Sequence, residues 1–467
     1  MESFRVERDS LGEVRVPEGA LYGAQTQRAV DNFPISGLGL PAAFIAAVAL
    51  IKMHAAEVNG QLGLLPQEAA TAIAAAAGEV VEGQHPDQFP VDVFQTGSGT
   101  STNMNVNEVI ATLAGRRLGR AVHPNDEVNL GQSSNDVIPT AMQVAACSAI
   151  SERLLPTLRR LQDALTERSE RFDPIVKSGR THLMDATPVR LGQEFGGYAA
   201  QIGHSFVRVE RSCADMAELP LGGTAVGTGV ATHPQFAARV IERISASVGI
   251  GFREAGNHME RQSTRDTVVF AHGALNAAAV SLAKIANDLR LLASGPRTGL
   301  AEIVLPAVQP GSSIMPGKVN PVIPEAVTMV AAQVIGNQAT ITACGGGGIL
   351  ELNVMMPLMA ERLLSSIELL SNASRVLADR CVVGIEADER RVRELLEGNL
   401  ALGTALAPHI GYDAASKLAQ RALAEGRTIR DVATESGVVA ARDLDRILDV
   451  RAMTEPGIPG SPGESGT

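Results

Sequence analysis

The chain is 467 residues long, 45% hydrophobic and 19% charged, enough for roughly three average domains and for an apolar core that closes without disulfides or metal. That apolar share excludes disorder across the bulk of the chain, while 3% aromatics, no Trp and abundant Ala, the strongest helix former, argue against a β-sandwich or barrel. A formal charge of −11 offers no basic field for a phosphate backbone, which disfavours nucleic acid as a partner and means that any anionic ligand needs a local site.

Phe4 to Glu7 and Glu13 to Val16 alternate apolar and polar residues around Asp9-Ser10-Leu11-Gly12, which predicts a small N-terminal hairpin and the one clear β element. Helices are predicted over Pro41–Leu62 and Pro66–Glu82, each opened by Pro and closed by Gly. A polar, Gly-rich stretch from Gln95 to Asn107 follows. In Glu152–Arg171 the residues Leu154, Leu158, Leu161 and Leu165 recur at helical spacing, and Arg190–Leu219 repeats the habit with Leu191, Phe195, Tyr198, Ile202, Phe206 and Val209. Ser263–Ser294, opened by the capping pattern Ser263-x-x-Asp266, Pro324–Thr342 and Met355–Val383 bring the count to about five long helices, which closes a bundle.

Ala326–Leu350 carries no charge and has the length of a membrane span, yet Gln333, Asn337, Gln338, Thr340 and Thr342 suit a helix buried in protein better than one facing lipid. After Gly384 the helical patterns are short: Asp388–Gly398, Tyr412–Gly426, Thr428–Glu435 and Ala441–Asp449. Thr454–Thr467, made of Pro, Gly and Ser without an apolar run, reads as a disordered tail. The fold class is therefore mainly α, with an N-terminal domain over 1–132, a central long-helix bundle over 133–386 and a small helical C-terminal domain over 387–453. Cys147, Cys213, Cys344 and Cys381 are far apart with no zinc spacing, so they read as reduced thiols and no metal is expected. The N-terminus Met1-Glu2-Ser3-Phe4-Arg5 lacks the apolar run that follows a basic start in a signal peptide, and the expected location is the cytoplasm.

Between the helical patterns ending near Ser294 and starting near Pro324 lies a long connection dense in Gly and Pro, of the length that lids and ligand loops have. Its core, Gly311-Ser312-Ser313-Ile314-Met315-Pro316-Gly317-Lys318-Val319-Asn320-Pro321, leads to Glu325 and gathers hydroxyls, a cation, an amide and free backbone N–H groups, a set that suits an anionic ligand. A Pro-rich surface loop is the plain alternative. Thr96 to Asn105 and Gln132 to Asp136 offer uncharged hydroxyls and amides that also fit ordinary caps and turns, and neither matches a Walker loop. His182, in the turn-rich segment Ser178 to Pro188, can titrate near neutral pH, and His123-Pro124-Asn125-Asp126 forms a further polar cluster or a capped turn.

The span Gly311 to Glu325 resembles the Gly-Ser-Ser-x-Met-Pro-x-Lys-x-Asn-Pro signature of the fumarase/aspartase superfamily, and the blocks Thr96–Asn107, His123–Asp126, Gln132–Asp136, Gly179–Pro188 and Gly222–Gly229 resemble class II fumarases in order and spacing. The resemblance implies a three-domain fold with a central helix bundle and reversible hydration of fumarate to (S)-malate, a tricarboxylic acid cycle step, through an aci-carboxylate intermediate and without a cofactor. It further implies that Ser312 is the base, that His182 paired with Glu325 serves the hydroxyl side, and that Ser313, Lys318, Val319 and Asn320 hold the substrate carboxylates. By the same resemblance Ser98, Gly99, Thr100, Ser133, Ser134, Asn135 and Thr181 orient the dicarboxylate, and His123, Pro124, Asn125 and Asp126 form a second dicarboxylate site. Family members assemble as homotetramers whose active sites draw on three chains. Aspartate ammonia-lyase is the nearest alternative, but aspartases carry Gln at the position of His182 and Thr at that of Ser134, and hydroxide needs a proton donor where ammonium leaves already protonated. A non-catalytic structural relative is the alternative from another class.

Overall fold

The computed structural model describes residues 3–461. The chain is mainly α. Strands β1 (Phe4–Asp9) and β2 (Gly12–Pro17) form the expected N-terminal hairpin. Helices α1 (Ala24–Asn32), α2 (Ala42–Gln61), α3 (Gln67–Val81), α4 (Thr100–Leu118), α5 (Ser134–Ala149) and α6 (Leu155–Phe172) follow. A second hairpin, β3 (Val176–Thr181) and β4 (Met184–Arg190), then precedes α7 (Leu191–Met216), α8 (Phe236–Val248), α9 (His258–Ser263), α10 (Asp266–Leu292), α11 (Val322–Gly345) and α12 (Met356–Arg380).

Contacts divide the chain into two units, one of Met1–Thr157, Ser205–Val280 and Val330–Asn372, the other of Leu158–His204, Ser281–Met329 and Ala373–Thr467. The division runs through α6, α7, α10, α11 and α12 instead of falling at 132 and 386, because helices this long meet different neighbours along their course.

In the first unit, α2 is buried on nearly every side: Phe44, Val48, Ile51, Ala55 and Val58 lie within the core against α3, α5 and α8. Each of these Phe, Val and Ile side chains stabilises the fold by about 1.5–3 kcal/mol relative to exposure. In the same unit α10, α11 and α12 are joined by a buried polar knot, with His272 bonded to Gln338 (2.7 Å) and Ser366 (2.8 Å) and Asn337 donating to Ser366 (2.9 Å). Satisfied polar groups of this kind fix the register of packed helices. Among the described residues α2 and α10 are long and apolar enough to cross a membrane, and 72% of the α2 window is buried in protein.

In the second unit the α6 stripe Leu158, Leu161 and Leu165 is fully buried, as are Leu191, Phe195 and Ile202 of α7, where Phe195 packs edge-on against Phe172 and Tyr198. The short C-terminal helices form at Glu389–Glu397, Tyr412–Glu425, Ile429–Ser436 and Ala441–Ile447, the last three around a core that includes Leu418, Ile429, Val432, Leu444 and Ile447.

Four local expectations are corrected. The N-terminal hairpin is not the one clear β element: Val176–Arg190 pairs as a hairpin with a bulge at Ser178/Gly179. The polar block after Gln95 is helical from Thr100, because Gly99 supplies the left-handed turn that starts α4. Ser263 does not cap α10: its hydroxyl donates back to Met259 O (2.7 Å), ending α9, and α10 starts at Asp266. The tail is ordered through Ser461, for Gln193 donates to Thr454 O (3.1 Å), Arg190 pairs with Glu455, and the His409 ring bonds Pro459 O (2.7 Å). Residues 462–467 of the expected tail lie outside the described residues.

Candidate active site

The candidate residues gather in two groups, one in each unit. In the first, Ser98, Gly99 and Thr100 form the entry to α4. Gly99 has φ +73°, and a Cβ there would lie 2.9 Å from the Ile138 side chain, so this turn requires glycine. The turn aligns three hydroxyls in a chain: Ser98 Oγ is 2.7 Å from Thr100 Oγ1, which is 2.7 Å from Ser134 Oγ. Ser133 caps α5, its Oγ accepting from Asn135 N (3.2 Å) while Asp136 Oδ1 accepts from Ser133 N (2.9 Å), a reciprocal capping box. The other Asp136 oxygen accepts from Gly222 N and Thr224 N, both at 3.0 Å, and Asn135 Nδ2 donates to Ala225 O (2.8 Å). The glycine-rich segment from Gly222 is thereby tied to the start of α5. Asp136 is fully buried, which pushes its carboxyl up to about 6, with the N–H donors of Ser133, Thr224 and Gly222 acting in the opposite sense.

Nearby in the same unit, His123, Pro124, Asn125 and Asp126 form the start of a π-helical turn, Pro124–Val128. The His123 ring accepts from Asp126 N (3.1 Å), and Glu127 accepts from His123 N (2.8 Å). His123 and Asn125 line a cavity of about 940 Å³ together with Thr96, Ser101 and Arg120.

The second group is built on the β3–β4 hairpin and the loop before α11. His182 and Leu183 form its two-residue turn with φ +55° and +62°, a conformation that side chains other than Gly and Asn rarely adopt. Positive φ at two consecutive non-glycine residues costs on the order of 1–3 kcal/mol each and clusters at functional positions. Thr181 and His182 are exposed, and among the described residues the His182 ring has no partner within its own chain; Glu325 does not meet it there. The hairpin is held from below. Glu302, fully buried, accepts two bonds from Arg180 (3.0 and 2.9 Å) and pairs with Lys177 (3.2 Å), while Lys177 also bonds Glu194 (2.8 Å). Burial raises the Glu194 carboxyl against the pull of Lys177. Asn399 adds a clamp, donating to Ala186 O (2.8 Å) and Ser178 Oγ (3.1 Å).

The loop Gly311–Lys318 closes on itself, Ser312 N donating to Lys318 O (3.0 Å). Gly311 has φ +94°, and a Cβ would lie 1.8 Å from Lys318 O, so no other residue fits the closure. Inside the loop Ser312 Oγ accepts from Ile314 N (3.3 Å) and Met315 N (3.2 Å), and Lys318 Nζ donates to Asn320 Oδ1 (2.7 Å). Ser313, Lys318 and Val319 are exposed, and Ser312, Asn320 and Glu325 are half-buried. Sequence reasoning missed the groups beneath these residues: Lys52, Lys177, Arg180 and Glu302. Lys52 carried one signal, a single cation in the otherwise apolar run of α2.

Residues 12–336 match the family described as Lyase, and residues 402–455 match the Fumarase C C-terminus. Class II fumarate hydratase of Mycobacterium tuberculosis is 54% identical over 458 residues, covering 97% of this chain and 96% of that one. Its counterpart from Halobacterium salinarum is 53% identical over 462 residues, 98% of each chain. The crystal structure of recombinant class II fumarase from Schistosoma mansoni superposes with a TM-score of 0.94 at 38% identity, covering 97% of this chain and 99% of that one. Fold and site blocks thus place the chain among lyases of the fumarase/aspartase type. Within them it belongs to the class II fumarate hydratase family.

Proposed function

We propose that the chain is a hydro-lyase that reversibly hydrates fumarate to (S)-malate. Near full-length identity above 50% to class II fumarate hydratases supports the reaction. The observation that carries the mechanism is the Ser312 hydroxyl oxygen receiving two backbone N–H groups inside a closed loop. Removing an unactivated proton from the carbon beside a carboxylate requires a strong base and donors for the dianionic aci-carboxylate that results. The two N–H groups stabilise Ser312 as an alkoxide, which takes that proton. Lys318, Asn320 and Ser313 then hold the carboxylate on which charge develops, and Ser98, Thr100, Ser133, Ser134, Asn135 and Thr181 orient the other end. His182, seated at a strained turn tip and backed by Glu325 of another copy of the chain, gives a proton to the departing hydroxide in dehydration and takes one from water in hydration.

The unpartnered His182 ring supports a site completed by other copies of the chain. Exposed apolar residues on the long helices, such as Met329 at 68% and Phe270 at 57%, support burial in a homotetramer whose active sites draw on three chains. The four cysteines are free thiols, which supports a reducing, cytoplasmic location. His123, Asn125 and Asp126 supply the groups of a second dicarboxylate site. The test is Ser312→Ala and His182→Asn in the assembled protein: each lowers turnover by orders of magnitude with the assembly intact, and near-normal activity in both overturns the assignment.

A further inference from the structure

The first group of site residues contains hydroxyls, amides and backbone donors and no cation, yet it belongs to a protein of net charge −11 that handles a dianion. The buried charge beneath it is Lys52, on α2, with no side-chain exposure. Its Nζ donates to Asn129 Oδ1 (2.7 Å) and Gln132 Oε1 (3.0 Å). Both partners are neutral, and among the described residues no carboxylate pairs with it directly. Asn129 Oδ1 also accepts from Asn103 Nδ2 and Asn107 Nδ2, each at 3.2 Å, so the ammonium sits at the centre of an amide network. Gln132 immediately precedes Ser133, and Asn129 Nδ2 donates to Gln132 O (3.0 Å), so this network is the floor of the Ser133-Ser134-Asn135 segment.

We propose that Lys52 is the buried positive charge that gives this uncharged half of the site its affinity for a dianion, acting as a positioning residue through Asn129 and Gln132 without touching substrate. The inference rests on the dicarboxylate reading above. A buried cation is retained only where something repays its desolvation, and here no direct counter-ion does so. Burial pushes the ammonium down to about 7, the Asp136 carboxylate acting the other way, so the lysine is poised to gain charge when an anion arrives. At an effective dielectric near 20, a unit charge within about 10 Å of a carboxylate changes affinity by about tenfold or more.

The experiment uses full-length Lys52→Met, with fumarate as substrate and two competitive ligands, succinate as dianion and succinamate as monoanion. The expected result is a rise of about tenfold in the fumarate KM and the succinate inhibition constant, a much smaller rise for succinamate, and kcat within about threefold of the parent. Asn107→Leu removes a member of the same network with the charge retained, and it leaves the succinate-to-succinamate ratio unchanged. Equal weakening of both ligands by Lys52→Met, or the same change of ratio in Asn107→Leu, overturns the proposal. Should Lys52→Met fail to fold, calorimetry of succinate binding to His182→Asn in buffers of different ionisation enthalpy provides the reading: net proton uptake near pH 7.5 is expected, and none overturns it. A parent protein inactive on fumarate defeats the dicarboxylate reading itself, whereas an active parent with unchanged Lys52→Met defeats only the charge assignment.

Discussion

The ion cluster under the β3–β4 hairpin gives a quantitative test of how the second group of site residues is held. Glu302 is fully buried and is the only carboxylate within pairing distance of Arg180 among the described residues, while Lys177 has Glu194 as a second partner. Glu302→Gln keeps the shape but leaves the Arg180 guanidinium without its counter-ion, and breaking a buried pair from one side costs about 3–5 kcal/mol. Arg180→Met costs less, near the lower end of that range, because Glu302 keeps Lys177. In the double variant Arg180→Met with Glu302→Gln, neither uncompensated charge of the broken pair remains and Lys177 keeps Glu194. The two effects should therefore fall short of additivity by about 2–3 kcal/mol. With no Trp in the chain, far-ultraviolet circular dichroism is the natural probe for urea unfolding at fixed protein concentration, with hydrogen exchange at Gly179 to Thr181 as the local readout. Strict additivity of the two substitutions would refute the clamp.

Other outcomes follow from single contacts. Gly99→Ala, forced to φ +73° with a Cβ against Ile138, should lose about 1–3 kcal/mol and weaken substrate binding by displacing Ser98 and Thr100; unchanged melting and KM would contradict the turn's role. Lys52 in the folded protein titrates at about 7 and in the unfolded chain near 10.5, so between these pH values only the unfolded state holds that proton. Stability therefore rises with pH across this window by up to about 1.4 kcal/mol per unit and is lost again as pH falls to 7; Lys52→Met should flatten that slope in urea titrations at pH 7, 8 and 9. Leu418→Ala, in the C-terminal core, should cost about 2–5 kcal/mol in calorimetric or urea unfolding, and a change under 1 kcal/mol would mean that this core collapses around the cavity.

Much of this architecture is written in local patterns. The α6 and α7 stripes lie at helical spacing and are buried as that spacing implies, and the Gly- and Pro-dense connection before α11 stands out in the sequence as the long loop that the structure has there. The β3–β4 hairpin does not, because Lys177-Ser178-Gly179-Arg180 lacks the alternation and β-branched content of a strand, and its turn uses His182-Leu183 where Asn-Gly would be the signal. What holds it is Glu302, over a hundred residues away, paired to Arg180 by tertiary contact that no window of sequence can display. Lys52 shows in sequence only as a lone cation in an apolar run, because its partners Asn129 and Gln132, some eighty residues on, meet it only when the fold brings them to α2. The ordered segment through Ser461 is fixed by Arg190, Gln193 and His409, whereas its own composition favours disorder.

The central claim is tested most directly with the purified protein, L-malate in one cuvette and L-aspartate in another, by following fumarate absorbance without added metal or nucleotide. Turnover of malate alone is the predicted result. Turnover of aspartate in its place, or silence with both, would contradict it.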